Sequence, residues 1–166
     1  MISAVMAMNS CDKHDGIYSA PFGALAVFAR HDVLNRIDFL QGSQYSPPTT
    51  RIAAAVFAEL DAYFADPNHI FSLPVALSGS DFQRRVWQMM MYIPVGSVRT
   101  YGDVADELVS GPRAVGGACA ANPLPIVIPC HRIVSKRGMG GFNHTRDGAY
   151  ITVKRWLLAH EGVCFN

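Results

Sequence analysis

The segment 122–134 constrains this chain most strongly, because it joins a short run of branched apolar residues to a single cysteine. Residues 126–128 are Ile, Val and Ile, an uncharged β-branched run that predicts a buried strand. Pro129 has no N–H to donate to a sheet and is expected to end that strand. The sequence therefore predicts that Cys130 emerges at a strand terminus.

Cys130 is followed directly by His131 and Arg132, a setting that suits a reactive thiol. A free cysteine has a pKa of about 8.5, so little of it is thiolate near neutral pH. A nucleophilic cysteine needs a base or a positive field nearby, and these two neighbours offer both. Most free cysteines are instead small buried hydrophobes. Adjacency alone leaves both interpretations open.

The first half of the chain predicts a small antiparallel sheet and one helix. Residues 25–28 and 33–39 show short alternating apolar patterns, separated by a His-Asp pair, which is typical of a hairpin. A helix with Thr49 or Thr50 as its N-cap is expected to follow and to stop at Asp66, which precedes a proline.

Residues 72–79 predict a short strand and a linker, so we expect an N-terminal α/β domain at 1–79 and a second domain at 80–166. The opening residues 1–8 are apolar, lack a preceding Lys or Arg, and are too short for a membrane span. We therefore expect residues 1–8 to form a disordered or edge segment and to carry no targeting signal.

The second half predicts a helix-turn-helix. A first helix is capped by Ser80 or Asp81, and a short extended piece leads to a helix that runs through 103–108. A tight turn at 110–112 contains Gly and Pro, and a further helix covers 113–121.

That last helix contains Gly116 and Gly117, each of which costs about 1 kcal/mol relative to alanine in a helix interior. Two explanations could account for this cost. The glycines could let the helix backbone approach another surface closely, or they could let it pack tightly on a neighbouring helix.

Charge is unevenly distributed along the chain. Residues 1–79 hold 4 Lys and Arg against 7 Asp and Glu, and residues 80–166 hold 10 against 6, so the halves carry −3 and +4. The second half therefore suits a polyanion, provided its positive charges cluster. The four cysteines have no paired spacing, which favours a reducing compartment over a disulfide framework or a zinc ribbon.

The second half also carries a set of short motifs: Phe82-Gln-Arg-Arg-Val-Trp87, Ile93-Pro-Val-Gly96, Thr100-Tyr-Gly102, Arg113-Ala-Val-Gly-Gly117, Asn122-Pro123, Pro129-Cys-His-Arg132 and Leu157-Leu-Ala-His-Glu-Gly162. Together they closely resemble the signature of the O6-alkylguanine-DNA alkyltransferases, a family of direct-reversal DNA repair proteins. Upstream, Ser19-Ala-Pro-Phe-Gly23 and Leu60-Asp-Ala-Tyr-Phe64 resemble the looser pattern of that family's N-terminal domain.

The resemblance implies an α/β (α+β) fold, with a small N-terminal antiparallel-sheet-plus-helix domain and a mostly helical, winged-helix-like C-terminal domain. It also implies stoichiometric, irreversible transfer of an alkyl group from O6-alkylguanine, and from O4-alkylthymine, in DNA to Cys130, without a cofactor. His131 would act as base through a bridging water, Glu161 would orient His131, Asn122 would brace the turn, and Tyr101 would donate a proton toward the guanine ring. The residues alone favour a simpler interpretation, with Glu161 a surface carboxylate in the last turn of a terminal helix and Tyr101 a half-buried aromatic.

The implied partner is double-stranded DNA, bound through the minor groove with the damaged base flipped out, a rotation that costs a few kcal/mol. Arg113 would fill the space of the extruded nucleotide, and Tyr101 would crowd a phosphate to promote the rotation. Further contacts with the DNA backbone are expected at Gln83, Gly102, Ser110 and Lys136. We expect a cytoplasmic protein, or a nuclear one in a eukaryote, that is monomeric, with cooperative loading on DNA left open.

One loop departs from the family pattern. Relatives follow the active-site strand with a Gly-Tyr-small-Gly-Gly loop, whereas residues 138–148 are longer here and Phe142 stands where the tyrosine is expected. The added charges are His144, Arg146 and Asp147. The base pocket is expected to be formed by Ile133, Phe142, Asn143 and Cys119, with no metal ligands.

Two other classes of function are weighed against alkyl transfer. A cysteine hydrolase needs an oxyanion hole, and no glycine-rich elbow surrounds Cys130. A non-catalytic protein of the same fold that binds alkyl lesions is the more serious alternative, but that class lacks the nucleophilic cysteine.

Overall fold

The computed structural model describes residues 13–42, 44–143 and 148–165. Its first half is a three-stranded antiparallel sheet with the order β1 (Gly16–Ala20), β2 (Gly23–Arg30) and β3 (Val33–Leu40). The predicted hairpin between β2 and β3 is confirmed, and both residues of its two-residue turn have positive φ, as a tight hairpin requires. Strand β1 was not predicted from the sequence. Residues 1–8, predicted as disordered or edge, lie outside the described residues.

The helix after the sheet, α1 (Arg51–Ala65), lies where the sequence predicts it. Thr50 caps it by accepting a hydrogen bond from the backbone N–H of Ala53, and Asp66 ends it. The strand predicted within 72–79 is wrong, because this stretch meets the sheet only through one parallel bridge between Val75 and Leu34.

The second half begins with α2 (Asp81–Met91), whose N-cap Ser80 and third residue form a reciprocal capping box. The short strand β4 (Arg99–Thr100) leads into α3 (Tyr101–Glu107), and α4 (Pro112–Ala120) follows after a turn of four residues. The predicted helix-turn-helix is therefore present. The chain ends with β5 (Ile133–Val134), which pairs in parallel with β4, and α5 (Ala149–His160).

The buried strand predicted at 126–128 is wrong. Ile126 and Ile128 are buried, but the segment is a compact turn in which Ile126 has a φ of 76°. Three prolines within 122–129 lack the N–H groups that a sheet would require. The turn is stabilised instead by the Asn122 side chain, which donates to the Ile128 carbonyl. Cys130 consequently starts a 3₁₀ turn, Cys130–Arg132, instead of ending a strand.

One hydrophobic core spans both halves of the chain. Leu25, Val56 and Leu60 of the first half belong to the same buried cluster as Trp87 and Leu157 of the second. No helix within the described ranges is long and apolar enough to cross a bilayer.

Val109 occupies a strained position in the turn between α3 and α4. Its φ is 52°, a left-handed conformation that β-branched residues rarely adopt, and its side chain is 94% exposed. The N–H of Ser110 bonds to the carbonyl of Ala105, so Val109 stands where a helix C-terminal motif usually has glycine.

Replacing Val109 with glycine is expected to stabilise the protein by about 1 kcal/mol, because relief of the left-handed strain outweighs the added freedom of the unfolded chain. Denaturant unfolding measures the change. The matched control is Asp106→Gly on the exposed face of α3, which should destabilise the protein by about 0.3 kcal/mol, because Asp is itself a poor helix former. A loss of stability in Val109→Gly would contradict the strain argument.

Candidate active site

A cavity of about 820 Å³ opens between α3, α4, the 3₁₀ turn and the loop after β5. Tyr101, Arg113, Cys119, Cys130 and Phe142 all line it. Five residues that the sequence singled out for reaction, DNA contact or base binding therefore share one concave surface, the arrangement expected of an active site.

Cys130 lines this cavity, with only 8% of its surface exposed. Its position is fixed by the preceding turn, where the Asn122 amide donates to the Ile128 carbonyl at 2.9 Å and accepts from the Leu124 N–H at 3.0 Å. Burial raises the pKa of the Cys130 thiol, and Asn122 and the charge of Lys154 oppose that rise. The resting group is therefore a thiol, which needs a base before it can attack.

The next residue in the chain is His131, which is fully buried. Its Nε2 lies 2.8 Å from Glu161 Oε1. The same carboxylate accepts two hydrogen bonds from Arg132, one from Nε and one from Nη2, each at 2.9 Å. Arg132 donates its third hydrogen bond to the Ile93 carbonyl at 2.6 Å. Arg132 therefore serves to hold Glu161, and Glu161 is not the surface carboxylate that its position in the sequence allowed.

The charges of this network fix the protonation of its members. Burial acts to raise the pKa of Glu161, but its bonds to His131 and Arg132 overcome that effect and lower the pKa to about 2. Burial lowers the pKa of His131. Glu161 is thus ionised and His131 is neutral near pH 7, so Nε2 carries the hydrogen donated to Glu161. Nδ1 has no partner among the described residues and keeps a lone pair for a proton.

A buried cation that sequence reasoning missed bonds to Gly141, one of the residues lining the cavity. Lys154 of α5 is fully buried and donates from Nζ to the carbonyls of Ile133, at 2.6 Å, and Gly141, at 3.0 Å. The Tyr101 hydroxyl donates to the same Gly141 carbonyl at 3.3 Å. Burial lowers the pKa of Lys154 to about 8, and the nearby thiols Cys130 and Cys119 oppose that effect. Lys154 therefore fastens the loop that covers the cavity.

The α4 side of the cavity is made of small residues headed by Arg113, which is exposed at the rim. A Cβ on Gly116 would meet only the Tyr101 ring, at 4.0 Å, and a Cβ on Gly117 would meet nothing within 4 Å. Neither glycine is required by packing on a neighbouring helix. Of the two explanations for their cost, the structure favours close approach of an outside surface.

The residues expected to contact the DNA backbone do not all border the cavity. Gly102 lies in the first turn of α3, and Ser110 and Lys136 lie exposed in turns. Gln83 belongs to the α2 capping box, where its Oε1 accepts from the Ser80 N–H at 2.8 Å. Arg137, which was not singled out from the sequence, lines the cavity in place of its neighbour Lys136.

Three of the four expected pocket residues, Cys119, Phe142 and Asn143, line the cavity. Ile133 does not, because its side chain is fully buried in the core. Phe142 packs against Phe39 of β3 with ring centroids 5.5 Å apart, which joins the loop to the first sheet. The charged residues His144, Arg146 and Asp147 lie outside the described residues.

Sequence analysis missed two buried side chains beside the site. Lys154 left a signal, because the spacing 154, 157, 158 and 161 places it on the buried face of α5. Tyr63 left no signal that separates it from an ordinary core residue: it lies on the buried face of α1, yet its hydroxyl donates to Glu161 Oε1 at 2.8 Å.

Comparisons with known proteins agree along nearly the whole chain. Residues 81–163 match the model of the 6-O-methylguanine DNA methyltransferase DNA-binding domain, and residues 13–77 match that of its ribonuclease-like domain. Methylated-DNA–protein-cysteine methyltransferases of Metallosphaera sedula and Sulfolobus acidocaldarius are 32% and 34% identical over 89% of this chain and 92% of their own. The Mycobacterium tuberculosis OGT crystallised with DNA superposes with a TM-score of 0.72 at 33% identity, over 88% of this chain and 91% of its own.

Proposed function

The chain belongs to the 6-O-methylguanine DNA methyltransferase family, and on that premise we propose that Cys130 is the residue that accepts the alkyl group. The protein repairs methylated DNA by transferring the alkyl group to its own cysteine. One observation carries the assignment of Cys130: its buried thiol opens into the cavity and is followed directly by a neutral histidine held by an ionised carboxylate. The substrates would be O6-alkylguanine and O4-alkylthymine.

The reaction is a single in-line displacement. His131 takes the thiol proton through a water at Nδ1, and the sulfur of Cys130 forms a bond to the alkyl carbon as that carbon's bond to O6 of guanine breaks. Glu161 stabilises the imidazolium that results. Tyr101, held at the cavity wall, donates a proton toward the purine as it leaves. One proton leaves the thiol and one reaches the purine, so the step needs no cofactor.

The product is a thioether, whose carbon is a poor electrophile, so each molecule acts once. A protein that only binds alkyl lesions, without catalysis, is the less favoured alternative, because the relatives of this chain are named as methyltransferases. We further propose that residues 1–79 and 80–166 are two domains of a monomer that works in the cytoplasm, or in the nucleus if the source is a eukaryote.

DNA binding would place α4 in the minor groove with the damaged nucleotide rotated into the cavity. The alkylated O6 lies inside the base stack, so a thiol at the end of a pocket reaches it only after the base leaves the duplex. Arg113 is exposed at the cavity rim, where it would fill the space that the base leaves. The open surface beside Gly116 and Gly117 supports this orientation, because it lets the helix backbone approach the groove.

Replacing Gly116 with leucine is expected to slow transfer from duplex DNA at least tenfold, because the side chain would occupy the cavity wall facing Tyr101. Single-turnover transfer to duplex DNA measures it. Ala54→Leu is the control, since it adds a comparable side chain on the exposed face of α1, away from the cavity and from α4. That variant should transfer at the wild-type rate. If Gly116→Leu transferred at the wild-type rate, the nucleobase would have to enter the cavity by a route that does not pass Gly116.

The assignment is tested by mixing the protein with duplex DNA that contains O6-methylguanine and measuring masses. We expect one methyl group per molecule, on the peptide that contains Cys130, and no second turnover. Tight binding without a gain in mass would indicate a lesion-binding protein, and methyl on another cysteine would overturn the assignment of Cys130.

A further inference from the structure

Tyr63 lies in the last turns of α1, in the first half of the chain, and is 1% exposed. Its hydroxyl crosses to the second half and donates to Glu161 Oε1 at 2.8 Å. Its backbone carbonyl accepts from His160 Nε2, also at 2.8 Å, and its ring meets the His160 ring edge-on with centroids 5.2 Å apart. Tyr63 therefore holds two successive residues at the end of α5.

Packing alone does not explain this hydroxyl. A phenylalanine would fill nearly the same volume between Phe64 and Phe71, whose rings lie 5.3 and 5.5 Å from that of Tyr63. Burial, reinforced by the Glu161 charge, raises the pKa of Tyr63 well above its usual range. The phenol therefore stays protonated at every working pH and remains a hydrogen-bond donor.

Tyr63 contacts the same carboxylate oxygen of Glu161 that contacts His131. Glu161 Oε1 receives three donors: the Tyr63 hydroxyl at 2.8 Å, His131 Nε2 at 2.8 Å and Arg132 Nη2 at 2.9 Å. Each donor withdraws negative charge from the same atom. Removal of the phenol donor leaves more of that charge for His131 and also frees the carboxylate to shift.

We propose that Tyr63 is a positioning residue of the alkyl-transfer site, supplied by the first half of the chain, which holds Glu161 in place and limits the charge it presents to His131. The proposal rests on the function proposed above for Cys130 and His131. The other charged groups that face His131 are Arg132 on its own turn and Lys154 of α5, and neither contacts Tyr63 by hydrogen bond among the described residues.

The test compares Tyr63→Phe with Tyr18→Phe. Tyr18 is a matched control, because its hydroxyl also donates to a carboxylate, Asp61 at 2.6 Å, within the first half and away from the cavity. Two quantities are measured from pH 5 to pH 9: the single-turnover rate of methyl transfer from O6-methylguanine duplex, and the NMR titration of the His131 ring.

We expect Tyr63→Phe to transfer roughly tenfold more slowly near pH 7. Its acid limb and its His131 titration should both move to higher pH, on the order of half a unit, because the imidazolium gains charge stabilisation. Tyr18→Phe should match the wild type in both measurements. Denaturant unfolding of both variants reports any loss of stability, which by itself moves neither curve along the pH axis.

An unshifted His131 titration in folded Tyr63→Phe would overturn the proposal, whatever the rate. A wild type that transfers no methyl group would defeat the proposed function instead. The His131 titration would still decide the role of Tyr63 in that case, since it needs no substrate.

Discussion

Replacing Cys130 with alanine is expected to abolish methyl transfer while leaving the affinity for O6-methylguanine DNA within about threefold of the wild type. The thiol is the only group of this residue that can accept carbon, whereas the residues expected to touch DNA lie on α2, α3 and α4 and in the turns after α3 and β5. Mass spectrometry after incubation with lesion DNA measures transfer, and a fluorescence-anisotropy titration measures binding.

Cys119→Ala is the control for this experiment, because Cys119 lines the same cavity as a second free thiol. Burial raises the pKa of Cys119 well above its usual range, and no side-chain base among the described residues is bonded to it. We expect Cys119→Ala to accept one methyl group. Methylation of Cys130→Ala on Cys119 would show that the cavity, not the His131 partnership, selects the nucleophile.

Replacing Glu161 with glutamine is expected to slow transfer roughly a hundredfold or more and to destabilise the protein by about 3–5 kcal/mol. A neutral amide leaves the largely buried Arg132, whose side chain is 11% exposed, without its counter-charge, and the amide NH₂ group opposes one of the donors that converge on the carboxylate. His131 then loses both its fixed tautomer and the anion that stabilises its imidazolium. Single-turnover kinetics at a temperature where the variant is folded separate the two effects.

The matched control is Glu59→Gln, which alters another glutamate with a histidine partner. Glu59 Oε2 lies 2.8 Å from His69 Nε2, the same distance as between Glu161 and His131. The side chains of Glu59 and His69, however, are both partly exposed. We expect this variant to lose no more than about 1 kcal/mol and to transfer at the wild-type rate. Equal losses in both variants would mean that the buried network has no special role.

Local signals explain what was predicted correctly in the fold. The caps of α1 and α2 and the hairpin turn act over three or four residues, so Thr50, Ser80 and the His-Asp turn specify their elements without help from distant chain. The turn at 122–129 is different. Its β-branched residues favour a strand, but the Asn122 amide and the prolines impose a compact turn that apolar periodicity does not reveal.

The candidate site shows the same division. Cys130, His131 and Glu161 were named because the family motifs contain them, whereas no local pattern indicates that Arg132 bonds to Glu161 or that Tyr63, 98 positions away, does so as well. Contacts over such separations depend on the assembled core, so they follow from tertiary structure alone.

The burial of the Cys130 thiol also bears on how the protein survives the chemicals that cause the damage it repairs. Free electrophiles consume thiolates that they can reach, and the exposed Cys164 is far more accessible to them than the buried, protonated Cys130. The proposed acceptor would thereby stay unreacted until a lesion enters the cavity. A molecule that can act only once is protected from being wasted on the toxicant itself.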